Sequence, residues 1–375
     1  MANDVAADAT QILPSQPSDL SASDLLVPIV VSTTGFHGEP FQSEITLSNR
    51  GGNVASIDLT YSAVIGSGSG TVQDHLASGQ QRIIQDSVAY LRNLGLPIST
   101  SGNHGGPLRV QFSGLHSGEG AVTVRTMTPM TGGRIGVSYS GVPREFALTT
   151  MGYVCGLRQN GQDRSNLAVQ NVGSWEEGDI TLLTTVYNGD NSAISLQPQL
   201  AFETVLAPGG FQQFSGILNQ NGIDLSNGFA RVEKVGGTPF YIYGVINDQL
   251  NSDGSFISPI TDIALKGHKQ LTLPVILESG LMTSELTLTN LSNQKKQIQC
   301  SFVAESIASP DSTASLLISL EPWQQIVLPQ VVQYFRERTS QIGSSEIPFV
   351  GPLIIKAASG TLDGITRICE NNFPG

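Results

Sequence analysis

The pattern Ser-x-[Ile/Leu]-x-[Leu/Val]-x-Asn occurs three times, at positions 43–49, 165–171 and 284–290. The copies stand roughly 120 residues apart, the length of a small domain, so whatever one copy folds into has to be made three times. Apolar and polar residues alternate within the pattern. That period of two belongs to a strand, with Ile45 and Leu47 facing inward and Thr46 and Ser48 outward. Each copy closes on an asparagine (Asn49, Asn171 or Asn290), a residue that bonds nearby backbone and suits the start of a turn.

Further blocks keep the same order. Ile57, Leu59 and Tyr61 match Ile180, Leu182 and Thr184, then Ile298, Cys300 and Phe302. Residues 76–84 match 206–214 and 320–328, a tight turn followed by a strand. After it, Asp86 or Ser87 as a cap, Val88, Leu91 and Leu94 at helical spacing and Gly95 as a stop predict a short helix. One such helix is expected per repeat, shortest in repeat two at 215–219. Each repeat ends on a hairpin-like pair of strands. The expected organisation is a polar, flexible leader at 1–24, then repeats at 25–150, 151–267 and 268–375.

Composition agrees with strands. Charged residues are 13% of the chain, against about 25% in a typical soluble protein. Glycine is abundant at 41 residues, and 39% of residues are hydrophobic, enough for cores. The fold class is therefore all-β: three tandem Ig-like β-sandwich repeats, each with one short helix. The Cys–Trp–Cys hallmark of antibody domains is absent, so "Ig-like" describes architecture. A net charge of −12 argues against nucleic acid, because phosphate contacts need clustered Lys and Arg. No run of 18 apolar residues exists, so no membrane-spanning helix is expected. The leader carries Asp4, Asp8, Asp19 and Asp24 and no basic residue, so no export signal is visible in it.

The stretch Gly156-Leu157-Arg158-Gln159-Asn160 leading into Arg164-Ser165-Asn166-Leu167, with the block Leu206-Ala207-Pro208-Gly209-Gly210, resembles tandem β-sandwich repeats of secreted and surface proteins of environmental bacteria. The resemblance covers nearly the whole chain and its motifs are structural. It implies an extracellular or cell-surface, non-catalytic protein and gives no residue a role. Repeat three departs from it with Trp323 in the glycine place, and repeat one with Ser78 in the proline place.

Chemistry is thinly signalled. The histidines His37, His75, His104, His116 and His268 show no metal-binding spacing and read as loop residues. Residues 66–70 fit Gly-x-Ser-x-Gly without the flanking strand and helix of a nucleophile elbow. Glu176, Glu177 and Asp179 read as a variable acidic turn rather than a glycosidase pair. Oxygen-rich loops around Asp190, Asp248 and Asp253 are the weak calcium candidates; no other cofactor or metal is expected. Trp175 and Trp323 are the candidate partner-binding aromatics, read otherwise as rim-of-core residues. Cys155, Cys300 and Cys369 lack zinc spacing. Cys300 and Cys369 could pair in an oxidising compartment, but Cys300 holds the core place of Leu59 and Leu182, which favours a buried thiol.

The function expected is a non-enzymatic structural or adhesion protein, acting as a spacer or assembly subunit through protein partners or self-assembly. In that reading the leader and residues 25–31 are a strand available to a neighbouring subunit. The alternatives are a carbohydrate-binding array on surface glycans and an enzyme with a site between repeats.

Overall fold

The structure, a computed structural model, describes residues 23–35, 38–174, 176–190, 197–249, 253–261, 264–280, 282–304, 312–343 and 348–372; of 304, 312 and 366–372 only the backbone is described. The all-β expectation holds. Unit 1 comprises β1 (Ser23–Thr34), β2 (Pro40–Asn49), β3 (Ala55–Tyr61), β4 (Gly70–Leu76), β5 (Gln81–Ile84), helix α1 (Ser87–Asn93), β6 (His104–Ser113), β7 (Gly120–Met130), β8 (Gly133–Ser140) and β9 (Val142–Pro143). Its strands follow the order β4-β3-β6-β1-β2-β7-β8, with β5 added to β2 and β9 to β1. Strand β1 passes between layers: it pairs with β6 from Ser23 to Ser32 and with β2 from Ser32 to Thr34.

Unit 2 comprises β10 (Met151–Gln159), β11 (Asp163–Asn171), β12 (Ile180–Asn188), β13 (Pro198–Leu206), β14 (Phe211–Phe214), β15 (Leu225–Gly236), β16 (Phe240–Asp248) and β17 (Gly254–Ile257). They form two sheets, β10-β15-β12-β13 and β14-β11-β16-β17. Unit 3 comprises β18 (Gln270–Glu278), β19 (Thr283–Asn290), β20 (Lys296–Ala304), β21 (Ser312–Leu320), β22 (Gln325–Leu328), helix α2 (Val331–Arg338), β23 (Phe349–Ala357) and β24 (Ile365–Asn372). Its order is β21-β20-β23-β18-β19-β22, with β24 on β19.

Counted within each unit, the first layer always runs fourth, third, sixth, first, and the second layer runs fifth, second, seventh. An immunoglobulin domain instead joins its first, second, fourth and fifth strands in one sheet. The likeness is therefore one of layered architecture only. Where units 1 and 3 carry α1 and α2, unit 2 has a 3₁₀ turn at Asn219–Asn221, slightly later than the sequence suggests. Separate buried clusters fill the units, led by Leu47, Leu59 and Phe112 in the first, Leu182, Ala230 and Phe240 in the second, and Leu288, Phe302 and Leu353 in the third. Cys300 is a free, fully buried thiol in the third cluster, while the side chain of Cys369 lies outside the described residues. Because Ser23 to Ser32 of β1 already pair with β6, residues 25–31 are an integral strand of unit 1 and not one left over for a neighbour. Residues 1–22 of the expected leader lie outside the described residues.

The recurring serine and asparagine are polar clamps inside this apolar frame. Ser43, Ser165 and Ser284 are fully buried, and each hydroxyl accepts from a first-strand N–H, those of Val31, Arg158 and Leu277, all at 2.8 Å. The asparagine amides close the turns. Asn49 donates to the carbonyls of Asn53, Leu76 and Ala77 and accepts from the N–H of Gly51. Asn290 repeats this with Gln294, Leu320, Glu321 and Ser292, and Asn171 with Gly178, Leu206 and Gly173. A buried amide that meets every partner costs nothing; its removal strands several backbone groups at once. Asn49→Ala is expected to lower unfolding free energy by about 2–4 kcal/mol, read from urea denaturation, and a loss within about 0.5 kcal/mol would contradict the clamp role.

Candidate functional site at the junctions between units

Strands β11 and β16 of unit 2 do not alternate between buried and exposed, as the edge strand β13 does. Along β11 and β16 nearly every side chain from Leu167 to Asn171 and from Phe240 to Gly244 is buried. A strand covered on both faces reads as a continuous apolar run, as Phe240-Tyr241-Ile242-Tyr243 does. Inward, Phe240, Ile242, Leu167 and Val169 join the unit's own core. Outward, Tyr241, Tyr243, Ala168 and Val172 form a second cluster with Leu26 of β1, against which Ile29 and Val142 of unit 1 pack. Phe256 of β17 lies between Tyr139 of β8 and Tyr243 of β16, with ring centroids at 4.9 and 5.0 Å. Stacked pairs of this kind contribute about 0.5–1.5 kcal/mol each beyond area burial. The backbone N–H of Gly136 donates to Asp253 across the same junction at 3.1 Å.

The other sheet of unit 2 is covered by unit 3. Tyr153, Cys155, Tyr187 and Phe229 cluster with Leu291, and Trp323 packs against them. The polar centre of this junction is Gln325, 1% exposed at the start of β22. Its amide nitrogen donates to Asn227 Oδ1 (2.6 Å) and to the Gly228 carbonyl (3.0 Å). Its amide oxygen accepts from the Gly156 N–H (3.1 Å) and the Thr289 hydroxyl (2.9 Å). Its backbone N–H donates to the Gly189 carbonyl, and its carbonyl accepts from Asn227. A primary amide has two donors and two acceptor sites, and here all four are used. Glycine at 189 is required by this approach, since a Cβ there would meet Gln325 Cβ at 2.7 Å.

Beside Gln325, Arg158 of β10 grips Glu285 of β19 with two bonds, 3.0 and 2.5 Å. Asp163 stands 3.8 Å from the same guanidinium. Burial raises the Asp163 carboxyl above its ordinary value; Arg158 opposes this and Glu285 adds to it. Burial also pushes the Cys155 thiol up to about 12, and that of Cys300 likewise, which removes both as ready nucleophiles.

Trp323 sits in the junction, with φ of 62°. The matching places in units 1 and 2 are Gly79 (φ 68°) and Gly209 (φ 69°). A left-handed backbone costs a non-glycine residue about 1–2 kcal/mol, which the packing of the indole against unit 2 offsets. The partner of this expected partner-binding aromatic is thus the neighbouring unit of its own chain. Trp175 lies outside the described residues.

The calcium candidates separate. Asp190 accepts from Asn227 at 2.7 Å beside Gln325, whereas Asp248 and Asp253 face one another across the β16–β17 turn. Among the described residues no three His, Cys, Asp or Glu side chains are grouped to hold a metal. His75 and His104 separate too. His75 lies opposite Ser56, itself opposite Ser113, while His104 opens the same strand β6 about 30 Å away. His37 lies outside the described residues. Glu177 turns toward Arg144 (3.4 Å) in the linker between units 1 and 2. A tighter polar cluster sits on unit 1, where Asp74 accepts from Tyr90 and Arg82; burial would raise its carboxyl, but Tyr90, the His75 N–H and Arg82 together hold it low.

Nothing in the sequence marks Gln325, Asn227, Arg158 and Glu285 as a group. Each sits on a strand, where isolated polar residues read as surface. The unbroken apolar runs of unit 2 were the one available sign that its outer faces are covered.

Gln325→Ala is expected to remove the partner of Asn227 Oδ1, the Gly156 N–H, the Gly228 carbonyl and the Thr289 hydroxyl, and to cost about 3 kcal/mol at the junction. Cys155, 1% exposed, should then react with a thiol reagent under native conditions in which the parent protein does not. Equal reactivity in both proteins would contradict the arrangement. For Asp163, the folded-state value lies above the unfolded one, so the folded chain binds more protons in that window and stability falls as pH rises through it. Asp163→Asn should therefore raise the urea midpoint at pH 7 and leave it unchanged at about pH 3, where the carboxyl is protonated in both states. No family model matches this chain, and no curated protein is similar to it.

Proposed function

We propose that the chain is a non-enzymatic structural protein, a rigid spacer or assembly subunit placed outside the cell or on its surface. The observation that carries this reading is the use made of its buried polar side chains. Gln325, Asn227, Arg158 and Glu285 spend their bonding capacity on fixing one unit against the next. A hinged site would leave such groups free to meet a substrate; here they hold an orientation. The two stacked contacts of Phe256 serve the other junction in the same way. Rigid units joined by filled junctions set a fixed reach, which is the property a spacer needs.

The surface supports this choice over a carbohydrate-binding array. Among the described residues the exposed large hydrophobic side chains are aliphatic, apart from Phe146. Sugar platforms use rows of exposed aromatic rings. The extracellular location rests on the resemblance of the repeated blocks to secreted and surface proteins, and protein partners follow from the same reading.

Small-angle X-ray scattering of the full chain at low concentration tests rigidity directly. The expected profile, extrapolated to zero concentration, fits one three-unit particle and is unchanged between about 0.05 and 0.5 M salt, because the junctions are packed rather than held by exposed charge. A profile that needs several interunit arrangements would sink the spacer reading.

A further inference from the structure

Both junctions bring the outer side of the later unit's second layer onto the first strand of the earlier unit: β14-β11-β16-β17 on β1, taking in β8 as well, and β19-β22 on β10, taking in β15. A contact between unlike faces does not close on itself, so one face of each kind is left at the two ends of the chain. These are the first-layer face of unit 3 and the second-layer face of unit 1.

The unit 3 face is apolar where the next sandwich would sit. Gly351 opposite Ile276 repeats the pairing of Gly228 opposite Leu157, which puts Val350 in the place of Asn227 and Val275 in that of Gly156. Val350 is 46% exposed and Val275 44%, on neighbouring strands of this layer. Contiguous exposed aliphatic residues on a sheet face mark an interaction surface.

The unit 1 face carries the docking residues of unit 3. Glu44, Thr46 and Ser48 occupy the places of Glu285, Thr287 and Thr289, and Gln81 that of Gln325. Ser48 donates to the Gln81 side-chain oxygen at 3.3 Å, as Thr289 does to Gln325. Ile83, 56% exposed, stands at the place of Val327 and adds an apolar side chain. Of the groups that Gln325 bonds on unit 2, the Gly228 carbonyl has its counterpart at Gly351, whereas Gly156 (φ 80°) is replaced by Val275 in a wider bulge, so apolar contact at Val275 and Val350 stands in place of the Gly156 and Asn227 bonds. Glu44 faces Arg125 of its own unit at 3.9 Å, so it does not depend on a partner's cation where unit 3 has Leu277 instead of Arg158.

We propose that these two faces bind each other between copies: the β18–β23 face of unit 3 receives the β2–β5 face of unit 1 from a second copy, head to tail and open-ended. The inference rests on the assembly-subunit reading and names its surface. Copies of net charge −12 repel one another, so association should strengthen with salt.

Sedimentation velocity of the full chain in about 0.5 M NaCl, from about 1 to about 200 µM, reads this out across the range of micromolar association. Mass beyond the dimer, rising with concentration, is expected. Val350→Lys and Ile83→Lys should each be monomeric, and their equimolar mixture should form a dimer and stop, because only one intact face of each kind remains. Val275→Lys provides a second variant of the unit 3 face, with circular dichroism melts confirming that each is folded. A parent chain monomeric throughout, or a dimer that survives in both single variants, would overturn the proposal. A monomer that still scatters as one rigid particle would keep the spacer reading and reject this surface.

Discussion

Both sheets of unit 2 are covered on their outer sides around β10, β11 and β16, and the order of the chain follows from that. The two sheets meet around one core, and each also presents a second apolar side outward. Strands with residues such as Phe240 to Tyr243 cannot leave either side in water without exposing several large rings. Units 1 and 3 cover those sides. The result is a layered stack in which the middle unit is the shared neighbour, and each junction is packed like a core rather than tethered by a linker.

The two junctions solve one problem with different chemistry. The first is aromatic, with Phe256 between Tyr139 and Tyr243. The second is polar at its centre, with Gln325 and Asn227 exchanging bonds and Arg158 gripping Glu285. Apolar contact tolerates small shifts, whereas a buried amide with four partners accepts one register only. Unit 3 is therefore the unit whose position is most sharply defined. The strained Trp323 belongs to this account: a left-handed tryptophan persists where packing over-determines it.

The serine and asparagine clamps act at a lower level, inside each unit. They tie a first strand to a second and a turn to the strands beside it, using short side chains that need little space. Repetition of these clamps in three places, with different loops around them, is what makes the repeat legible despite low similarity elsewhere.

The sequence by itself determined the strands, the repeat and the all-β class. Alternation at Ile45 and Leu47 and the asparagine at each turn are local signals, set by neighbours a few residues away. Cys300 in the place of Leu59 and Leu182 told of a buried thiol for the same reason. The short helices were readable from capping and spacing, although unit 2 reduces its own to a 3₁₀ turn. The candidate site was not legible in this way. Gln325 and Asn227 lie 98 positions apart and Arg158 and Glu285 lie 127 apart. Nothing within a strand says which far strand its outer face will meet. Only the tertiary structure decided that Trp323 turns inward against unit 2, that the acidic loops around Asp190 and Asp253 stand apart, and that β1 is paired at home. The physical reason is that covering a sheet face is a choice between distant surfaces, made by shape and by complete pairing of buried polar groups, neither of which has a period in sequence.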